Sequence, residues 1–256
     1  MPYKYIDVST FQGAIDWERV KPQIDGVIIR AGLGQSELDK YFVRNITECN
    51  RLDIPAGVYW FGYAYNPERA KNEARSCLAA IKPYRIELPV VWDFEYASLS
   101  SILKNNPNFQ AVGDATLTAF CGTIEEAGYY AMLYSGKYII PQYFPNAAKR
   151  FDKWIALYQN DPDFNDRPLG CGIWQWGGTP IDGISGNVDT NAVYNDYKAI
   201  IKRAGLNHLN DPPEPWYAPA MRWAKEQGIC DGTRPEEPAT RAEVAQMIMN
   251  YHNKTK

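Results

Sequence analysis

The sequence predicts an α/β protein: an irregular barrel of eight strands with about five helical crossovers, followed by a small helical domain. Three observations point there. Eight short β-rich runs recur, at 3–9, 26–32, 56–62, 88–94, 130–136, 153–158, 172–176 and 187–191. Several, such as LPVVWDF, are continuous apolar stretches, which is how strands buried on both faces read. Helical patterns at 42–52, 67–81 and 111–127 separate the earlier runs. That alternation implies parallel strands joined by crossovers. After residue 137 helices become scarce and the connections are rich in Pro, Gly and Asn, so the late strands should lack helical crossovers. A doubly wound open sheet is the alternative that the same alternation allows.

Local signals support the elements in order. Pro67 suits the first turn of a helix, with Asn66 before it as a cap. A last helix, 192–205, closes the first domain, which is expected to span 1–207. Prolines then crowd around 208–215 (Pro212, Pro213 and Pro215, with Pro219 just beyond), the composition of a stiff linker. The remainder, 216–256, reads as two helices, 218–227 and 241–251, around a loop.

Composition excludes several classes. A formal net charge of -3 with both signs dispersed argues against nucleic acid, whose binding rests on neutralising phosphates. No apolar stretch approaches the roughly 20 residues that span a membrane. The start, MPYKYIDVSTFQG, lacks the basic and apolar regions of a signal peptide, so synthesis in the cytoplasm is expected. The five Cys are scattered without zinc spacing, and the two His are His208 and His252. A histidine relay within the first 200 residues is therefore excluded. No metal or cofactor is expected, and carboxylates remain as the main acid-base candidates. Aromatic content is high, with 18 Tyr and 8 Trp; rings of this kind serve equally as core or as sugar-stacking surfaces.

The run VVWDFEY carries the chemistry. Residues i and i+2 of a strand share a face, so Asp93 and Glu95 point together. Two adjacent carboxylates repel, which separates their pKa values. One can then give a proton while the other stabilises positive charge. Alone, D-x-E is also compatible with surface carboxylates or a metal site. Asp7 ends the first strand run and Asp189 the last, and barrel closure would make those strands neighbours. Either acid alone reads as turn or cap chemistry; together the four point to one pocket at the C-terminal ends of the strands.

The motifs D-V-S-x-x-Q-G (7–13), G-V-Y-W-F-x-Y-A (57–64), W-D-F-E (92–95), W-I-A-x-Y (154–158), W-Q-W (174–176) and V-D-x-N (188–191) resemble glycoside hydrolase family 25, over roughly residues 1–205. The resemblance implies a flattened α/β barrel and cleavage of bacterial peptidoglycan between N-acetylmuramic acid and N-acetylglucosamine. It implies Glu95 as general acid/base, Asp93 as second catalytic carboxylate, and Asp7 and Asp189 as supporting acids. Tyr59, Tyr63, Tyr134, Trp154, Tyr158, Trp174 and Trp176 would line the groove. Net retention is expected, either through a covalent intermediate or with assistance from the substrate's acetamido group. Resemblance to phage lysins implies storage in the cytoplasm and action on the wall after release. A non-catalytic glycan-binding barrel and a chitinase-like glycosidase are the competing readings.

Residues 216–251 resemble a single S-layer homology motif, through W-A-x-x-x-G-I at 223–229, D-G-T at 231–233 and T-R-A-E at 240–243. That resemblance implies a secondary cell-wall polymer as ligand, engaged by Arg241 with Trp223 and Gly232 nearby. Such motifs usually act in threes, so a lone copy is expected either to dock on the barrel or to associate with copies from other chains, as a homo-oligomeric dimer or trimer. T-R-A-E reads equally as a helix start in which Thr240 and Glu243 form a capping box.

Overall fold

The computed structural model describes residues 2–160, 162–210, 218–233 and 237–254. The chain divides into two compact units, Met1–Asn210 and Asp211–Lys256.

The first unit runs β1 (Tyr3–Val8), α1 (Trp17–Val20), β2 (Gly26–Leu33), β3 (Glu37–Leu38), α2 (Phe42–Arg51), β4 (Ala56–Phe61), α3 (Pro67–Ile81) and β5 (Val90–Phe94). It continues with α4 (Tyr96–Asn105), α5 (Gly113–Glu126), β6 (Ala131–Gly136), α6 (Ile140–Tyr143), β7 (Asp152–Ala156), β8 (Ile173–Pro180), β9 (Asn187–Val193) and α7 (Tyr197–Arg203). The sheet order is β1-β9-β8-β7-β6-β5-β4-β2-β3, and β1 also pairs with β2. That pairing closes eight strands into a barrel and rules out the open sheet; β3 is a two-residue strand hung outside on β2. Among the barrel strands, the connections before β7 contain α-helix, β7 to β8 has only a 3-10 turn, and β8 to β9 is a direct hairpin.

Two expectations about the closing strand change. β9 pairs antiparallel with both β8 and β1, whereas the remaining barrel pairs are parallel. The helix expected over 192–205 begins only at Tyr197, because Ala192 and Val193 still pair with Lys4 and Tyr3 of β1. Asp196 caps it by accepting from the Ala199 N–H at 3.0 Å. Helix α4 was not expected, since its serines are poor helix formers.

Side chains alternate across each strand. One set, including Ile28, Val91, Met132, Ile173 and Val193, fills the barrel, joined by Tyr197 and Ile201 of α7. The other, including Ile6, Val58, Trp92, Leu133, Ile155 and Trp174, packs against the helices. Trp92 stacks on Phe120 of α5 and Phe94 meets Phe144 edge-on, with centroids 5.6 and 4.8 Å apart. Beyond α7, buried Asn207 donates to the carbonyls of Ile86 and Leu88, at 3.1 and 2.9 Å, and accepts from the Tyr130 N–H at 2.7 Å. Its backbone is left-handed, at φ 55°, a conformation Asn tolerates through its short polar side chain. This residue ties the closing segment to the starts of β5 and β6, the end of the barrel opposite the site. All five cysteines are free, and four of them are buried.

The second unit contains α8 (Ala218–Glu226) and α9 (Arg241–Lys254). Thr240 Oγ1 accepts from the Glu243 N–H at 3.2 Å, and Glu243 Oε2 accepts from the Thr240 N–H at 2.8 Å. This is a reciprocal capping box. Trp223 and Tyr251 touch with centroids 6.2 Å apart. Trp223 and Arg241 are exposed, and Gly232 is left-handed at φ 78° with the Lys225 side chain against it. Of the expected linker 208–215, residues 211–215 lie outside the described residues, as do 216 and 217 at the start of the expected second domain. No helix among the described residues is long and apolar enough to cross a membrane.

Candidate active site

The rim at the C-terminal ends of the parallel strands encloses a cavity of about 230 Å³, and Asp7, Asp93, Glu95 and Asp189 all line it. Each arrives by strand alternation. Asp7 follows Tyr5 on the inward face of β1, and Asp93 follows Val91 on β5. Strand β5 ends at Phe94, so Glu95 stands at the N-cap of α4 and not on the strand. Its backbone stays extended, at φ -139° and ψ 177°, which keeps the i, i+2 relation to Asp93. The Ser98 hydroxyl fixes that backbone, donating to the Glu95 carbonyl at 2.9 Å and accepting from its N–H at 3.4 Å.

Asp189 reaches the rim for a different reason from the one expected. It is the third residue of β9, near the strand's start. Because β9 runs antiparallel, that start lies beside the C-terminal end of β1, where Asp189 pairs directly with Asp7.

A hydrogen-bond network supports Asp7. Its Oδ2 accepts from Asn191 Nδ2 at 2.8 Å and from Gln175 Nε2 at 3.0 Å. Trp154 Nε1 orients Asn191 by donating to its Oδ1 at 2.7 Å, and the Tyr134 and Tyr158 hydroxyls donate to Gln175 Oε1 at 2.7 and 3.1 Å. Asp93 is treated otherwise: it is 3% exposed and its Oδ1 has no hydrogen-bond partner among the described residues.

All four carboxyls hold their protons more tightly than usual. Burial, then the facing Asp189, pushes Asp7 up to about 7, against the pull of its Asn191 and Gln175 bonds. Burial, with Glu95 and Asp7 adding repulsion, holds Asp93 well above the carboxylate range while Arg30 opposes. Burial and then Asp189 raise Glu95. Burial raises Asp189 itself. The arrangement can therefore keep a proton on Glu95 for a leaving group, beside a buried carboxyl that lacks a donor.

The expected aromatic residues divide. Tyr59, Tyr134, Trp154 and Tyr158 line the cavity. Tyr158, 59% exposed, can present a ring to a sugar, whereas Trp154 is buried and supports Asn191. Tyr63, Trp174 and Trp176 do not line it. Tyr63 lies past the end of β4, where its N–H binds Glu73. In W-Q-W the parity is opposite to the one expected. Gln175 faces inward, and both tryptophans face out onto Phe164, with centroids 5.8 and 5.7 Å away. Gln175, Asn191, Arg30 and Phe11 were missed. The sequence signal for the first two was their place at i+1 of Trp174 and i+2 of Asp189. Among the described residues, no group of three or more His, Cys, Asp or Glu could hold a metal ion.

Comparison with known proteins finds relatives of the whole barrel. A model of Glycosyl hydrolases family 25 matches residues 6–183. YegX of Escherichia coli O157:H7, described as uncharacterized, is 30% identical over 199 residues, covering 73% of this chain and 67% of its own. The modular autolysin LytC of Streptococcus pneumoniae, solved with a synthetic peptidoglycan ligand, is 30% identical with a TM-score of 0.64. The match covers 75% of this chain but 46% of LytC, so this chain spans under half of that relative's length. A family 25 glycosyl hydrolase from Bacillus anthracis is 25% identical with a TM-score of 0.65, covering 78% of this chain and 92% of its own.

Proposed function

We propose a bond and a mechanism from one premise: the chain belongs to glycosyl hydrolase family 25 and is a glycoside hydrolase of the lysozyme kind. The substrate is peptidoglycan, and the bond cut is the β-1,4 link between N-acetylmuramic acid and N-acetylglucosamine. Glu95 protonates the leaving glycosidic oxygen. The acetamido carbonyl oxygen of the sugar on the other side attacks its own anomeric carbon as that bond breaks, giving a cyclic oxazolinium ion. Water, deprotonated by Glu95, then opens the ring, and the configuration is retained. Asp7 and Asp189 support this pair, Asp189 by holding the proton on Glu95.

The observation that carries the acetamido route is the orphaned Asp93 Oδ1, buried beside Glu95. A buried acceptor without a donor is costly, and an acetamido N–H is a donor of the right kind. Accepting that bond stabilises the charged carboxylate and the developing positive charge on the amide. Incubating purified walls with the protein should release new muramic acid reducing ends. A thiazoline analogue of the oxazoline should inhibit competitively; muramic acid release with no such inhibition would favour a covalent route through Asp93. Products from chitin alone would favour the chitinase-like reading, and binding without products the lectin-like one.

For the second unit the reading is attachment to a secondary cell-wall polymer through exposed Arg241, with Trp223 and Gly232 contributing and two or three copies associating. Light scattering of the full chain tests the association. A monomer at all concentrations would remove it.

A further inference from the structure

We propose that Arg30 reads the lactyl substituent of muramic acid, gripping an oxygen of its carboxyl or carbonyl group, and so selects which sugar enters the cleft. The proposal rests on the muramidase reading above. Arg30 lies on β2, directly paired with Tyr59 of β4, and among the described residues lining the cavity it is the one cation. A cation among four carboxyls would ordinarily collapse into an ion pair with one of them. Here it is held from behind instead. Its Nε donates to Asp39 Oδ2 at 2.7 Å, and Asp39 is buried outside the cavity lining. Asp39 is itself fixed, accepting from the Thr10 and Tyr41 N–H groups at 2.9 Å each.

The pair with Asp39 uses the inner nitrogen of the guanidinium. Among the described residues, the two terminal nitrogens of Arg30 make no hydrogen bond. One face of the group lies 5.2 Å from the centroid of the Phe11 ring, which is 84% exposed at the cavity mouth. The fork is thus immobilised, partly shielded from water and open at the end that faces the site. A planar pair of N–H donors matches a carboxylate in two parallel bonds and a neutral carbonyl in one. The 3-O-lactyl group is the acidic or acyl substituent that muramic acid has and N-acetylglucosamine lacks.

The test uses purified glycan strands in three forms: bearing stem peptides, stripped by an amidase so that the lactyl carboxylate is free, and stripped then reduced at that carboxyl to the alcohol. For the unaltered protein, kcat/KM should fall about tenfold from the carboxylate to the alcohol, as for loss of a charge-assisted bond. Peptide-bearing strands should fall between, which separates the carbonyl from the carboxylate as the group read. The double variant Arg30→Met with Asp39→Asn, which leaves no buried charge unpaired, should flatten the series to within about twofold. Arg30→Lys keeps the pair with Asp39 but loses the fork, and should lose most of the discrimination, chiefly through KM. A series left steep in Arg30→Lys overturns the proposal. So does a loss equal on all three strands with a shifted pH profile, because Arg30 would then act on Asp93 and not on substrate. Turnover of none of the three by the unaltered protein would instead fail the muramidase reading itself.

Discussion

Asp7 and Asp189 stand directly opposite one another across the antiparallel pair β1–β9. Like charges in that relation destabilise a sheet, and burial of Asp7 adds to the cost. The cost bears on function because Asp189, after burial itself, raises the proton affinity of Glu95. It also gives a stability signature.

Asp7→Asn is expected to stabilise the protein above neutral pH. The folded carboxyl, pushed up to about 7, binds a proton more tightly than the unfolded one. Stability should therefore fall as pH rises from about 4 through 7 and level off above. The variant removes the share of this slope that Asp7 contributes, a gain on the order of 2–4 kcal/mol at pH 8 and little at pH 4. Urea denaturation at both pH values checks it; identical curves for the two proteins at pH 8 would contradict it.

Glu95→Gln should lower kcat about 10²–10⁴-fold, the usual contribution of a general acid. The Ser98 hydroxyl holds the backbone of residue 95, and Gln keeps a side-chain oxygen at this N-cap, so the fold should survive. Reducing ends released from walls, alongside circular dichroism, give the measurement. Near-normal lysis by a folded variant would remove Glu95 from its role.

Asp189→Asn should move the alkaline limb of the activity profile to lower pH. The negative charge of Asp189 helps keep the proton on Glu95, and activity is lost as pH rises through the point where Glu95 gives that proton up. Removing the charge brings this point down. The kcat/KM profile of the variant shows the shift; a limb that stays in place or moves upward would contradict the assignment.

Tyr158 and Trp174 should fail in opposite ways. Tyr158→Ala removes a half-exposed ring at the cavity mouth, so KM should rise about five- to tenfold while melting temperature hardly moves. Trp174→Ala empties a buried site against Phe164 and should cost about 3–5 kcal/mol of stability. Thermal melts and Michaelis curves of both variants separate groove from core.

Much of this architecture was legible in the residues themselves. The buried runs of β2, β4 and β5 are almost continuously apolar, and the interruption of β5 by Asp93 marks where the barrel opens. Less legible was strand direction, because NVDTN reads alike whichever way it runs; only the pairing with β1 orients it. The inward set of β8 was also missed. Tryptophan suggested a sugar platform, but parity sends Gln175 inward and gives Trp174 to the helix-facing core. The Arg30–Asp39 pair joins residues nine apart across the β2–β3 hairpin, and no local spacing rule reveals such a link.

The site also has an order of assembly. Asp93, Glu95 and the Ser98 that holds the Glu95 backbone lie within six consecutive residues, so a growing chain contains the reactive pair early. Asp7 waits for Gln175 and Asn191, 168 and 184 positions later, and until β9 arrives β1 has one edge unpaired. Long-range pairings of this kind form late. The cleft is thus completed by nearly the last strand made, and a ribosome-bound or prematurely ended chain would carry its chemistry without the walls that direct it.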